Sequence, residues 1–178
     1  METNLRDIYA AGDVAETLHL VTRKPTWIPL AQTANKMGRV AGTNLAGGNM
    51  EFPGVVGTAF TKVFTLNIGR TGLSEEEAKK EGFQVASVKI EAKTRANYYP
   101  SAQTIFVKLI FDKETRKLLG GQIISSGDAI GRTNVIATAL YAGLSVDDIF
   151  FIDLGYSPPH APVWDPLVVA SSVASRKK

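Results

Sequence analysis

The sequence predicts an α+β fold in which a mostly antiparallel sheet with flanking helices follows a shorter part made of one strand and one helix. Residues 55–66, 103–111 and 117–125 are rich in β-branched and other apolar side chains, and 83–92 alternates between two faces, so these stretches read as strands. Two of them are joined by Asp112-Lys113-Glu114-Thr115-Arg116, a polar link of hairpin length. Helical spacing lies beside these strands, as expected when helices flank an antiparallel sheet.

The first strand is Ile8-Tyr9-Ala10-Ala11-Gly12-Asp13, apolar and ending in small residues, a glycine and one carboxylate. A strand that stops at glycine lets a ligand approach the backbone closely, and an Asp at its edge is an acceptor suited to a sugar-like hydroxyl. The same residues fit a strand running into a polar turn, and this stretch alone leaves both readings open. Residues 31–45 form a helix, with Leu30, Ala34, Met37, Val40, Ala41 and Leu45 at helical spacing, Pro29 at the first helical position and Gly47-Gly48 as the stop. Ala31, Ala34, Gly38, Ala41 and Gly42 make one side thin, able to lie close to a sheet, a second helix or a cofactor.

After Phe52-Pro53-Gly54 the character changes to strand, which places a domain boundary between residues 53 and 54. That strand covers 55–66 and continues to residue 70. Ser74-Glu75-Glu76-Glu77 is a capping box opening a short helix that ends at Gly82. Residues 94–100 interrupt the strands. A helix opens near Asp128 and runs to Tyr141, with Ile130, Val135, Ile136, Ala139 and Leu140 facing inward. Ser145-Val146-Asp147-Asp148 caps a further short turn. The prolines of Tyr156-Ser157-Pro158-Pro159-His160-Ala161-Pro162 exclude regular structure there, and Asp165-Pro166 starts a last helix.

The composition is that of an ordinary globular protein of one to one and a half domains. A formal charge of +3 with both signs interspersed is weak support for a nucleic-acid partner, and Arg176-Lys177-Lys178 reads as a solvated tail. Cysteine is absent, which excludes a disulfide, a thiolate metal site or a cysteine nucleophile within this chain. No apolar run approaches the roughly 18 residues that would span a membrane. Glu2 and Asp7 stand where a signal peptide carries basic residues. The expectation is a soluble cytoplasmic protein without nucleic-acid or membrane partners.

Four segments, 8–13, 27–42, 64–77 and 156–166, read in order, resemble the C-terminal part of the flavin-dependent pyridine nucleotide-disulfide oxidoreductases. The third, from Val63-Phe64 to Arg70-Thr71-Gly72-Leu73-Ser74-Glu75, looks like the opening of that family's dimerisation domain. The fourth, Tyr156-Ser157-Pro158-Pro159 followed by Trp164-Asp165-Pro166, resembles the branch of coenzyme A-disulfide reductases, NADH oxidases and NADH peroxidases. The resemblance implies that residues 1–53 are the end of an FAD-binding domain and 54–178 a dimerisation domain. The Gly-rich FAD fold, the NAD(P)H fold and the redox cysteine of such enzymes are not in these residues. The isolated chain is therefore expected to be colourless and inactive, as the C-terminal part of a homodimeric enzyme using NAD(P)H and FAD to reduce coenzyme A disulfide. An NADH oxidase or peroxidase is the alternative within the family, and a stand-alone, non-catalytic dimerisation module the alternative outside it.

On this resemblance Asp13 accepts from the FAD ribityl chain, and Pro29, Leu30 and Ala31 bring a helix N-terminus to the flavin pyrimidine edge, where it favours the negative charge of reduction. Plain packing is the other reading of that helix. Tyr98 and Tyr99 are adjacent aromatics in a loop, so one buried and one surface ring is the ordinary arrangement. Asn97-Tyr98-Tyr99-Pro100 matches a coenzyme A-disulfide reductase segment that places tyrosine at the substrate, which assigns the catalytic phenol first to Tyr98 and second to Tyr99. Tyr156 matches a tyrosine over the partner subunit's flavin. Asn35, Lys36 and Trp164 are the residues assigned to the coenzyme A chain, although Asn35, Lys36 and Arg39 also fit a solvated helix face. His160 lacks the H-P-x-x-x-x-E context of the family's acid-base pair and reads as a loop residue, and His19 has no companion metal ligands in sequence.

Overall fold

The computed structural model describes residues 1–177 and divides into two compact units, Met1–Gly57 and a second from Thr58 onward. In the first unit β1 (Thr17–Leu18) and β2 (Pro25–Thr26) form a small antiparallel hairpin. His19 organises its connection: the imidazole is buried, and Nδ1 accepts from the Val21 backbone N–H at 3.2 Å. Among the described residues no group of three or more His, Asp or Glu could hold a metal ion. Residues 8–13 form no strand, because Tyr9 makes one isolated bridge with Glu2 and the chain then turns at Gly12, where φ is +82°.

Helix α1 (Ala31–Leu45) spans the predicted residues and buries the stripe Thr33, Met37, Val40 and Ala41, whereas Leu45 is exposed. Its end is a Schellman turn: Gly47 has φ +86°, and the N–H groups of Gly47 and Gly48 donate to the carbonyls of Asn44 and Thr43. Its start differs from expectation. Leu30 keeps extended backbone as the N-cap and its carbonyl accepts from Thr33 and Ala34, so Pro29 precedes the cap and is not the first helical residue.

The second unit is built on a five-stranded antiparallel sheet in the order β3-β4-β7-β6-β5. Its strands are β3 (Ala59–Val63), β4 (Leu66–Gly72), β5 (Val85–Lys93), β6 (Thr104–Asp112) and β7 (Leu118–Ser125). The stretch read as one strand over 55–70 is therefore a hairpin. Its two-residue turn, Phe64-Thr65, contains no glycine or asparagine; Phe64 takes φ +51° itself and is 92% exposed. Helix α2 (Glu75–Lys80) starts at the predicted capping box, with the Glu77 N–H donating to Ser74 Oγ at 3.2 Å and the Ser74 N–H to Glu77 Oε2 at 2.6 Å.

Helices α3 (Ile130–Tyr141) and α5 (Pro166–Ser175) cover one face of the sheet, α3 on β4 and β7, α5 on β5 and β6, and α4 (Asp148–Phe151) packs on α5. Ile105, Val107, Leu109, Ile123, Ile136, Ile149 and Leu167 fill the layer between. The inward face of α3 keeps the expected Ile136, Ala139 and Leu140 but takes Arg132 and Thr133 in place of Ile130 and the half-buried Val135. Arg132, Thr133, Ile136, Ala139 and Leu140 are buried, while Ile130 is exposed. Glycines on the sheet decide this: a Cβ on Gly69 would stand 2.2 Å from Thr133 Oγ1, and one on Gly121 would stand 2.8 Å from Ile136 Cδ1. The other face of the sheet leaves Val63, Leu66, Phe106 and Ile124 partly exposed. Among the described residues no helix is long and apolar enough to cross a membrane.

The β6–β7 turn is held by Asp112, which is buried at the end of β6. Oδ1 accepts from the Thr115 N–H at 2.8 Å, the Thr115 hydroxyl at 2.9 Å and the Glu114 N–H at 3.1 Å, and Oδ2 from the Gln84 N–H at 3.2 Å. Burial pushes this carboxyl up, but the four donors outweigh it and hold it below its ordinary value of 3.8. Because the folded-state value is depressed, the stabilisation is complete above the unfolded-state value and is lost as pH falls through the folded one. Asp112→Asn turns an NH2 donor toward a backbone N–H, with an expected loss of about 1–3 kcal/mol at neutral pH. Urea titrations between neutral pH and pH 3 should show a smaller gap from wild type at the acid end; a constant gap overturns the assignment.

Candidate functional site

The predicted residues fall into two groups, one in each unit. In the first, Gly12 lies against the opening turn of α1, since a Cβ on it would stand 3.2 Å from the Ala34 Cβ. The Asp13 carbonyl accepts from Trp27 Nε1 at 2.8 Å, which fixes the turn and leaves the Asp13 carboxylate exposed. Leu30 gives α1 no side-chain cap, and no acidic residue lies in its first turn. Residues 10–13 and the start of α1 thus come together around exposed backbone and one carboxylate. Asn35 and Lys36 are exposed on α1, and the thin stripe stays bare at Gly38 and Gly42, where an added Cβ would meet nothing within 4 Å.

In the second unit the loop after β5 and the proline-rich segment before α5 meet. Tyr98 and Tyr156, 58 residues apart, bring their hydroxyls to 3.4 Å. That is a weak contact, longer than the 2.7–2.8 Å usual between hydroxyls. Both rings are accessible, Tyr98 76% and Tyr156 47% exposed. The hydrogen bond with Tyr98, and less so burial, hold the Tyr156 phenol above its ordinary value of 10.0, so it is protonated at neutral pH. Tyr99 is less exposed, with its N–H donating to the Ala96 carbonyl at 2.9 Å. Trp164 packs edge-on against Phe150 with ring centroids 5.6 Å apart and remains half exposed. His160 is exposed, its backbone N–H donating to Ser157 across the tight Ser157–Ala161 turn.

Beneath this pair lies a cluster that reading the sequence missed. Arg132, on the inward face of α3, pairs with Asp165 and with the carbonyl of Thr94, at the bases of the two tyrosine-bearing segments. The available signal was an arginine within the apolar spacing of 130–140, together with an Asp directly before the proline that opens the last helix.

Residues 58–167 match the family model of the pyridine nucleotide-disulphide oxidoreductase dimerisation domain. The chain belongs to this family. Its five-stranded antiparallel sheet with flanking helices is the fold of that dimerisation domain. Among curated relatives, the chain is 51% identical over 173 residues to an NAD(P)H coenzyme A polysulfide/persulfide reductase of Pyrococcus horikoshii, covering 97% of this chain and 39% of that protein. It is 33% identical over 177 residues to an NADH oxidase of Methanocaldococcus jannaschii, covering 99% of this chain and again 39% of the relative. Among solved structures, a NAD-dependent persulfide reductase from A. fulgidus superposes with a TM-score of 0.96 at 40% identity, over 99% of this chain and 33% of that one. The chain thus spans well under half the length of these relatives.

Proposed function

We propose that this chain is the C-terminal portion of a homodimeric NAD(P)H- and FAD-dependent enzyme that reduces a sulfur–sulfur bond on coenzyme A, with coenzyme A disulfide as the assigned substrate. The observation that carries the reading is the meeting of Tyr98 and Tyr156 at accessible hydroxyls. The relative from P. horikoshii, named for coenzyme A polysulfide and persulfide, supports the sulfur chemistry. Residues 1–53 are the end of an FAD-binding domain and 54–178 the dimerisation domain. The half-exposed apolar row Val63, Leu66, Phe106 and Ile124 supports a face that a second copy buries.

The residues of the first unit fit the flavin as one side of its site. An exposed carboxylate at Asp13 suits ribityl hydroxyls, and the uncapped start of α1 at Pro29, Leu30 and Ala31 suits an electron-rich ring edge. The chemistry that FAD supplies when bound is delivery of the two electrons of NAD(P)H toward sulfur. In the overall reaction the S–S bond breaks, each sulfur ends as a thiol, and NAD(P)H and one proton are consumed. The role assigned to Tyr98 first and Tyr99 second is to donate hydrogen bonds to the sulfur that gains negative charge, while Tyr156 is assigned to the partner subunit's flavin site. Asn35, Lys36 and Trp164 are assigned to the coenzyme A chain.

In the intact enzyme the double substitution Tyr98→Phe, Tyr99→Phe is expected to lower turnover with coenzyme A disulfide by roughly ten- to a hundredfold. Reduction of the flavin by NAD(P)H should be unaffected, which stopped-flow absorbance reads directly. Unchanged turnover removes the tyrosine assignment. The NADH oxidase of M. jannaschii favours a second reading, in which dioxygen or peroxide is the acceptor. Faster turnover with oxygen than with any coenzyme A-linked sulfur would select it.

A further inference from the structure

Arg132 joins the two loops that carry Tyr98 and Tyr156. Its Nε donates to Asp165 Oδ2 at 2.8 Å, Nη2 to the Thr94 carbonyl at 3.0 Å, and Nη1 lies 3.4 Å from both the carbonyl and Oδ2 of Asp128. Arg132 is 6% exposed and Asp165 7%. Each loop is also tied at its own base. Thr94 and Gln103 exchange hydrogen bonds, with the Thr94 N–H donating to the Gln103 carbonyl and the Gln103 N–H to Thr94 Oγ1. Asp165 Oδ1 accepts from the Leu167 N–H at 2.9 Å. Those bonds set the shape of each loop and leave their separation free. The guanidinium spans the gap, because its planar fork can meet a carboxylate and a backbone carbonyl in two fixed directions at once, which a lysine ammonium cannot.

We infer that Arg132 is a positioning residue: by bonding Asp165 and the Thr94 carbonyl together it holds the Tyr98 and Tyr156 hydroxyls at their meeting distance. The inference rests on the proposed function only in giving that distance a catalytic use; the geometry itself can be read without substrate. The two tyrosines sit four residues after Thr94 and nine before Asp165. The Arg132 bonds cross from one loop to the other, so a change of tilt at either base moves one hydroxyl away from its partner.

The test uses this chain with tyrosine labelled at Cζ with carbon-13, each of its five signals assigned by a single Tyr→Phe substitution and followed through a pH titration. In the parent chain Tyr156 should titrate above its ordinary value of 10.0, and Tyr98→Phe should bring it down. Arg132→Lys keeps the charge and one bond to Asp165 but gives up the fork. Asp165→Asn has a single amide oxygen, which can keep the Leu167 helix cap while its NH2 faces Arg132 Nε, so it releases the link from the other side with the cap retained. Both are expected to lower the Tyr156 titration to the value seen in Tyr98→Phe. If Tyr98→Phe lowers it and the folded Arg132 and Asp165 variants leave it at the parent value, the inference is overturned. If Tyr98→Phe itself has no effect, the pairing that Arg132 is said to set does not exist and the inference falls with it. Loss of turnover in the intact enzyme is a separate readout, so the catalytic reading can fail while the positioning role stands.

Discussion

Asp165→Ala is expected to destabilise the unit from residue 58 onward by about 4–6 kcal/mol, combining an unpaired buried charge at about 3–5 with the loss of a helix cap at about 1. The two effects act through different oxygens of one carboxylate, Oδ2 on Arg132 Nε and Oδ1 on the Leu167 N–H. Removing the side chain strands a guanidinium that is 6% exposed, with only the Thr94 carbonyl and the longer contacts to Asp128 to compensate. In a unit of this size such a loss lowers the midpoint by roughly 15–25 °C. Asp165→Asn can keep the Leu167 cap with its single amide oxygen but turns an NH2 toward Arg132 Nε, so it should lose about 1 kcal/mol less, the contribution of the cap. Thermal and urea denaturation followed by circular dichroism measure the difference. A loss under about 1 kcal/mol for the alanine variant would mean that water reaches Arg132 as readily as Asp165 does.

How far the sequence reached can be judged element by element. Local chemistry was read well where a pattern specifies one backbone. The spacing of Met37, Val40 and Ala41 with Gly47 beyond them marks α1, the Ser74 and Glu77 pair marks α2, and Asp165 before Pro166 marks α5. Where tertiary packing chose between local options, the reading went astray. Nothing near Phe64 announces a turn, and the hairpin closes there because β3 and β4 pair in register on either side. Apolarity favours Ile130 as an inward residue of α3, yet Thr133 takes that side beside the expected Ile136, because Gly69 and Gly121 open the sheet beneath them. The candidate site shows the same division. Tyr98 and Tyr156 were each marked by the motif around them, but no sequence spacing links residues 58 apart, and their contact follows from how the two loops are anchored. Arg132 was hidden for a related reason: a buried arginine is recognisable only once the carboxylate and carbonyl facing it are known.

Gly120→Ala is expected to lower the stability of the same unit by about 3 kcal/mol or more, at or beyond the upper end of ordinary overpacking. An added Cβ would stand 2.1 Å from the Leu73 carbonyl oxygen, 2.7 Å from its N and 2.9 Å from its carbonyl carbon. All three are backbone atoms, so no side chain can swing aside. Gly120 is the register partner of Gly72, and the adjoining Leu73 N–H donates to the Leu119 carbonyl at 2.8 Å, so separating the strands breaks the ladder where β4 leaves the sheet. The strain then passes to Ser74, the N-cap of α2, whose reciprocal bonds with Glu77 depend on the position of that backbone. Gly82→Ala provides the comparison. Gly82 has φ +90° with nothing within 4 Å of an added Cβ, so its substitution measures the cost of left-handed backbone alone, about 1–2 kcal/mol. Gly120 has no such backbone demand and measures the steric contact alone. Urea midpoints for the two variants should therefore differ in a fixed order, with Gly120→Ala the less stable. Equal losses would show that the ends of β4 and β7 can separate without cost, and that close approach of the strands is not what requires glycine at position 120.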